Sequence, residues 1–212
     1  MTASRPSPPS THPWIYLASR SPRRRELLAQ IGVDVRLLVD SDSARAEALE
    51  AARPGEDPRV YVLRVARAKA EAALERLAAS GLEPAPVLCA DTTVAIGGTL
   101  FAKPVDAADA ARMLSRLQGS VHRVLTAVAV ATPKARIVSR IQTSRVRFRR
   151  LKPDEIARYV ASGDAMDKAG AYAIQGLASA FVARIDGSHS GIMGLPLYET
   201  AQLLRKAGLR IP

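Results

Sequence analysis

Trp14-Ile15-Tyr16-Leu17-Ala18-Ser19-Arg20-Ser21-Pro22-Arg23-Arg24-Arg25-Glu26-Leu27-Leu28 decides how this chain is read. Trp14 to Ala18 is apolar and reads as a buried strand, while apolar residues at 27, 28 and 31 give the spacing of a helix. Ser21 suits the N-cap, Pro22 the first helical position and Gly32 the stop. Arg23 and Arg24 then fall in the first helical turn, where the macrodipole opposes cations by roughly 0.3–1 kcal/mol each. Arg24 also stands where a capping box wants Glu or Gln. An anion at that end would relieve both penalties. Free backbone amides, the Ser19 and Ser21 hydroxyls and guanidinium forks converging on one point form a phosphate site. The plain alternative is an ordinary cap on a solvated basic face.

Composition bounds the rest. The chain has 212 residues, 48% of them hydrophobic and 24% charged, enough for a sizeable core. No apolar run approaches the ~18 residues of a membrane span. Residues 1–13 (MTASRPSPPSTHP) lack the apolar centre of a signal peptide and read as a disordered basic tail, leaving 14–208 as a single domain. Cys89 is the only cysteine, which excludes an intramolecular disulfide and suits the cytoplasm. Its apolar surroundings, Val87 to Ala90, make it a buried structural thiol. The net charge of +11 calls for anionic partners. Aromatics at 4% are too few for a base-stacking platform, and the arginines are dispersed, so nucleic acid is not expected as a partner. The dense cluster Arg145 to Arg150 alternates like a strand with one wet face.

Outward from the opening motif, Val33 to Leu38 reads as a strand and 40–56 as weakly helical. Asp57-Pro58 opens a long helix to about Ser80, with a stripe at Leu63, Ala66, Ala70, Ala73, Leu74 and Leu77. Pro86 to Ala90 is an apolar strand that delivers Asp91 at its end. A hairpin follows, Thr92 to Ile96, Gly97-Gly98, Thr99 to Ala102. Asp106 caps a helix to Gln118, Val121 to Ala131 and Arg136 to Phe148 are strands, and Pro153 starts a helix ending at Gly163. A Gly-rich loop (164–176), a strand (Phe181 to Ile185) and a helix from about Pro196 to Lys206 complete the chain. Strands and helices interleave with hairpins among them, so the fold class is α/β with a mixed sheet.

Asp91 is the strongest candidate for chemistry. A carboxylate directly after a buried strand sits at a sheet's carboxyl edge, where it can hold a divalent metal or take a proton from water. In a two-residue hairpin Lys103 faces Thr92, so it shares a site with Asp91 only if the strand end twists or bulges. In Asp167-Lys168-Ala169-Gly170-Ala171-Tyr172-Ala173-Ile174-Gln175-Gly176, small residues admit a ligand close to the backbone. There Lys168 offers a charge for phosphate and Gln175 a carboxamide complementary to the N3–H and O4 edge of uracil or thymine, although an amide can flip, so Gln175 alone does not exclude cytosine. The three histidines lack metal-ligand spacing, and His122 and His189 read as structural.

These residues resemble the Maf-like nucleoside triphosphate pyrophosphatases. The likeness runs from Ile15 to about Leu204 through Leu-Ala-Ser-Arg-Ser-Pro-Arg-Arg (17–24), Ala-Asp-Thr-Thr-Val (90–94), Lys103-Pro104, Gln118-Gly119…His122, Asp-Lys-Ala-Gly-Ala-Tyr (167–172), Ile-Gln-Gly (174–176) and Gly-Leu-Pro-Leu (194–197). It implies two α/β lobes around a deep cleft, with an elongated mixed β-sheet flanked by helices. It also implies hydrolysis of a nucleoside triphosphate to monophosphate and pyrophosphate with Mg²⁺ or Mn²⁺. Residues 167–172 and 174–176 are similar to the branch that cleaves dTTP and UTP. By position, Asp91 matches the catalytic acid and metal ligand. Arg23, Thr92 and Gln175 match positions tied to substrate choice, and Ser19, Arg24, Lys103 and Lys168 match cleft residues near phosphates. The usual glutamates after the second strand are replaced by Val39-Asp40-Ser41-Asp42-Ser43-Ala44, so a second metal-supporting carboxylate is expected from Asp40 or Asp42. Two other readings stand beside this one: a pyrophosphatase for another nucleotide such as 7-methyl-GTP, and a non-catalytic nucleotide-binding regulator of cell division. Oligomeric state is left open, with a homodimer allowed.

Overall fold

Trp14–Leu17 forms strand β1 with every residue buried, as its apolar run requires. The computed structural model describes residues 13–40 and 43–211, so the tail read over 1–13 lies outside the described residues except for Pro13. Helix α1 (Pro22–Gln30) follows with Ser21 at its N-cap, and β2 (Asp34–Leu37) returns parallel to β1.

Helix α2 (Ser43–Leu49) precedes the long α3 (Pro58–Ala79), whose Asp57 cap accepts from the Arg59 and Val60 amides. Strand β3 (Val87–Ile96) turns through Gly97-Gly98 into β4 (Thr99–Phe101). Helix α4 (Ala107–Leu117), strands β5 (Val121–Ala131) and β6 (Ile137–Phe148), and helix α5 (Pro153–Ala161) come next. After a loop come β7 (Val182–Asp186), the short α6 (His189–Ile192) and α7 (Leu197–Lys206). The sheet order is β2-β1-β3-β5-β6-β7 with β4 added on β3. Pairing is parallel from β2 to β3 and antiparallel from β3 to β7, the mixed α/β sheet expected. Among the described residues no helix is long and apolar enough to cross a membrane.

Alternation along β3 sends its side chains to two cores. Val87 and Cys89 pack under α3, against Val62, Ala66, Ala70 and Ala73. Leu88 and Ala90 pack on the other face, with Leu27 and Leu28 of α1 and Leu203 and Leu204 of α7. The expected stripe on α3 is rotated: Leu63 and Leu74 are only partly buried, and Tyr61, Val62 and Val65 enter the core instead. Lys69, one helical turn beyond Val65 and two beyond Val62, is thereby turned inward.

Asp91 does not end its strand. β5 pairs with β3 from Val87 to Ala95, and this ladder holds the backbone extended straight through Asp91. The other edge of β3 is interrupted. Its pairing with β1 covers Val87 and Leu88, and its pairing with β4 begins only at Val94. The stretch between them is open, and that gap is the floor of the cleft.

Candidate active site

A cleft of about 740 Å³ lies over the open stretch of β3. Its lining brings together Ser19, Ser21, Arg23, Arg24, Asp91, Thr92, Lys103, Lys168 and Gln175, all the candidate residues read from sequence. Asp91 and Thr92 point to opposite faces of the sheet, yet an unpaired strand edge exposes both.

At the amino end of α1, Ser21 has the extended backbone of a cap, but its side chain makes no capping bond. Ser19 substitutes: its Oγ accepts from the Ser21 amide (3.2 Å) and from Arg24 Nη1 (3.2 Å). Both hydroxyl lone pairs are then used, so Ser19 has only a proton to offer the cleft. Arg24 Nε donates to the Gly194 carbonyl at 2.9 Å, across 170 positions of sequence. Burial lowers the Arg24 pKa against the pull of Asp91, and a guanidinium stays charged regardless. No acidic side chain occupies the first turn of α1, so the cationic helix end is uncompensated within that turn.

The carboxylate cluster differs from the sequence reading. Asp91 is 6% exposed, and its Oδ1 accepts from Lys69 Nζ at 2.8 Å. The same ammonium donates to Glu50 Oε1 at 2.6 Å, and Lys103 Nζ reaches Glu50 Oε2 at 3.3 Å. Lys103 therefore joins the Asp91 cluster through Glu50; hairpin pairing stops at Phe101, which frees Lys103 from the Thr92 register. Burial disfavours the charged forms of Glu50 and Lys69, but attraction wins: Asp91 and then Glu50 act on Lys69, and Lys69 and then Lys103 act on Glu50. Glu50 is held below its ordinary pKa and Lys69 above its own. Of the two acids expected as a second metal-supporting carboxylate, Asp40 lines the cleft but is engaged by a cation of α3. Asp40 is ion-paired with Arg76, Asp42 lies outside the described residues, and Glu50, carried in after α2, is the second carboxylate at the cluster.

Asp91 Oδ2 is buried and has no hydrogen-bond partner among the described residues. An unmet carboxylate oxygen costs about 1–3 kcal/mol or more, so it marks a place where a ligand belongs. Among the described residues no trio of His, Cys, Asp or Glu converges on a metal site. Two carboxylates fit Mg²⁺ all the same, because that ion is commonly held by one or two of them together with substrate phosphates.

The opposite rim is the loop between α5 and β7. Gly170 adopts φ +71°, its amide donates to the Ala102 carbonyl, and a Cβ there would lie 2.9–3.0 Å from Val94. Asp167 and Ala171 also have positive φ (59° and 60°), strain of the kind stored at binding loops. Tyr172 anchors the loop: its hydroxyl meets His122 Nε2 at 2.8 Å inside an edge-to-face cluster with Phe148. Burial lowers the His122 pKa to about 4, so it is a neutral core residue, as expected. Lys168 is ion-paired with Asp164 (3.3 Å). The Gln175 carboxamide is satisfied when its oxygen faces Arg23, at 3.3 Å from Nε and 3.2 Å from Nη1. Its NH₂ then takes the other position of the carboxamide. Cys89 is fully buried and its pKa is pushed up to about 12, which leaves it inert.

The sequence reading missed Lys69 and Glu50. The signal for Lys69 was its place among the inward positions of α3; Glu50, in an alanine-rich acidic stretch, had none.

The family model described as Maf-like protein matches residues 14–207. The chain is 60% identical over 195 residues to a protein of Cupriavidus metallidurans named dTTP/UTP pyrophosphatase, covering 92% of this chain and 97% of that one. It is 58% identical over 198 residues to a protein of the same name from Burkholderia pseudomallei, covering 93% and 95%. Among solved structures, a HAM1 protein from Coxiella burnetii overlays 91% of this chain and 98% of its own at TM-score 0.48 and 15% identity.

Proposed function

The chain belongs to the Maf-like family, and from that premise we propose that it hydrolyses dTTP and UTP to the monophosphate and pyrophosphate. The observation that carries this reading is the bare, buried Asp91 Oδ2 on the floor of a cleft whose rims bear Arg23, Arg24, Lys103 and Lys168. Relatives at 58–60% identity bearing that name support the choice of nucleotide.

The triphosphate lies between the amino end of α1 and the loop bearing Lys168. Ser19 donates its proton to a phosphate oxygen, and Arg24, fixed by Gly194 and Ser19, presents its remaining N–H groups in a constant direction. Lys69 orients Asp91 by donating to its Oδ1. Asp91 Oδ2 then faces the attacking water and accepts its proton as the water oxygen bonds to the α-phosphorus. The α–β anhydride bond breaks, and pyrophosphate leaves into the cationic rim, which stabilises its charge. Asp91 and Glu50 would hold a divalent cation, Mg²⁺ or Mn²⁺, which when bound supplies Lewis acidity toward phosphate and water. Glu50 also answers the regulator reading, whose support was the altered segment 40–44: a second carboxylate does reach the cluster.

The deciding measurement is pyrophosphate release from a panel of triphosphates with Mg²⁺ or Mn²⁺ present. dTTP and UTP are expected to be cleaved in preference to purines. Preference for 7-methyl-GTP, or binding without turnover, would overturn the assignment.

A further inference from the structure

We infer that Thr126 is a positioning residue for substrate choice: it fixes the Thr92 hydroxyl as a hydrogen-bond acceptor, selecting bases that carry an N3–H. The inference rests on the dTTP/UTP reading above and deepens it.

Thr92 and Thr126 are directly opposed across β3 and β5, with their hydroxyl oxygens 2.9 Å apart. Thr126 Oγ1 also lies 2.7 Å from the Gly191 carbonyl oxygen. Two oxygens at that separation need a proton between them, and a carbonyl has none to give. Thr126 therefore spends its single proton on Gly191. Thr126 is fully buried, so that assignment does not exchange with solvent. The contact between the two threonines also needs a proton, which only Thr92 can supply. With its proton turned inward, Thr92 has only lone pairs left for the cleft.

This polarity contrasts with its surroundings. Ser19 and the cationic side chains offer donors, which suit phosphate. An ionised phosphate oxygen has no proton for Thr92, so any substrate group that pairs with it brings an N–H or O–H. Gln175 does not supply this acceptor, because both N–H groups of the Arg23 fork point at its oxygen. The two side chains divide the work: Gln175 presents its NH₂ to a base carbonyl, and Thr92 accepts from N3–H. Uracil and thymine carry that pair. Cytosine has a bare N3 acceptor and a 4-amino donor, so it meets like with like.

The test compares kcat/KM for UTP and CTP in the full chain, read after pyrophosphate release from UTP by the unsubstituted enzyme is established. Absence of that release is a failure of the functional reading and is distinct from a failure of the relay. In Thr126→Val the Thr92 proton is released to turn outward, and the preference for UTP over CTP is expected to narrow by about tenfold, the scale of one hydrogen bond. Thr126→Ser keeps the relay and the preference. An unchanged UTP/CTP ratio in Thr126→Val, or equal loss on both nucleotides (a contact to a shared ribose hydroxyl), overturns the inference. Should Thr126→Val not fold, Thr92→Val removes the acceptor itself: UTP is expected to fall about tenfold relative to CTP, and equal loss on both nucleotides overturns the inference.

Discussion

Lys69 Nζ bridges two acids, standing 2.8 Å from Asp91 Oδ1 and 2.6 Å from Glu50 Oε1. The ammonium is a structural counter-ion and at the same time the orienter of the carboxylate assigned to the chemistry. Separate experiments divide those duties.

Asp91→Asn keeps the size of the side chain and removes its negative charge. Pyrophosphate release is expected to fall on the order of 10²–10⁴-fold. The circular dichroism spectrum should be unchanged. Near-full activity would remove Asp91 from the mechanism.

Lys69→Met leaves two carboxylates facing each other in a site where both are mostly buried. Breaking such a pair from one side destabilises by about 3–5 kcal/mol. Urea unfolding at pH 7 measures it.

Acid weakens the Glu50 interaction. Its pKa is depressed in the folded chain from the ordinary 4.5, so its stabilising share is complete above that pH. The share is lost as pH falls below 4.5 toward the folded value. Glu50→Gln should flatten that limb of a Tm-against-pH curve; an unaltered limb would count against the pairing.

His122 is also depressed, from 6.5 to about 4, because burial opposes its charged form. The unfolded chain takes up this proton first as pH drops, so stability is full above pH 6.5 and declines down to about 4. The span corresponds to about 3 kcal/mol. Imidazole NMR shifts should show one histidine still neutral near pH 5, and an imidazole titrating at its ordinary value would contradict the placement.

Gly170→Ala places a methyl 2.9–3.0 Å from Val94 at φ +71°. Positive φ alone costs about 1 kcal/mol, and the contact adds to it. Because Lys168 and Gln175 ride on the same loop, KM for the nucleotide should rise more than kcat falls.

Much of this arrangement is readable before any coordinates. The strand-to-helix motif at 14–28 and the apolar runs of β3 and β5 carry strong periodic signals, and the element order follows from them. The nine candidate residues do line one cleft. Asp91 was misplaced at a strand end because a charged residue inside an apolar run looks like a boundary; only the ladder with β5 shows that extension continues. Lys69 was hidden because a long helix admits more than one apolar stripe, and tertiary packing chose the one that turns a lysine inward. Glu50 was hidden because its position depends on how the chain travels between β2 and α3, which no local pattern specifies. The engagement of Gln175 with Arg23 joins segments far apart in sequence, beyond the reach of local propensity.

The short turn around α6 holds both Arg24, through the Gly194 carbonyl, and Thr126, through that of Gly191. Order of synthesis gives this a consequence. A ribosome that has translated the opening helix, the central strands and the acidic cluster has still not made the two carbonyls that hold Arg24 and Thr126. A nascent chain stalled before residue 190 should bind nucleotide loosely and cleave it poorly, so competence arrives late in translation.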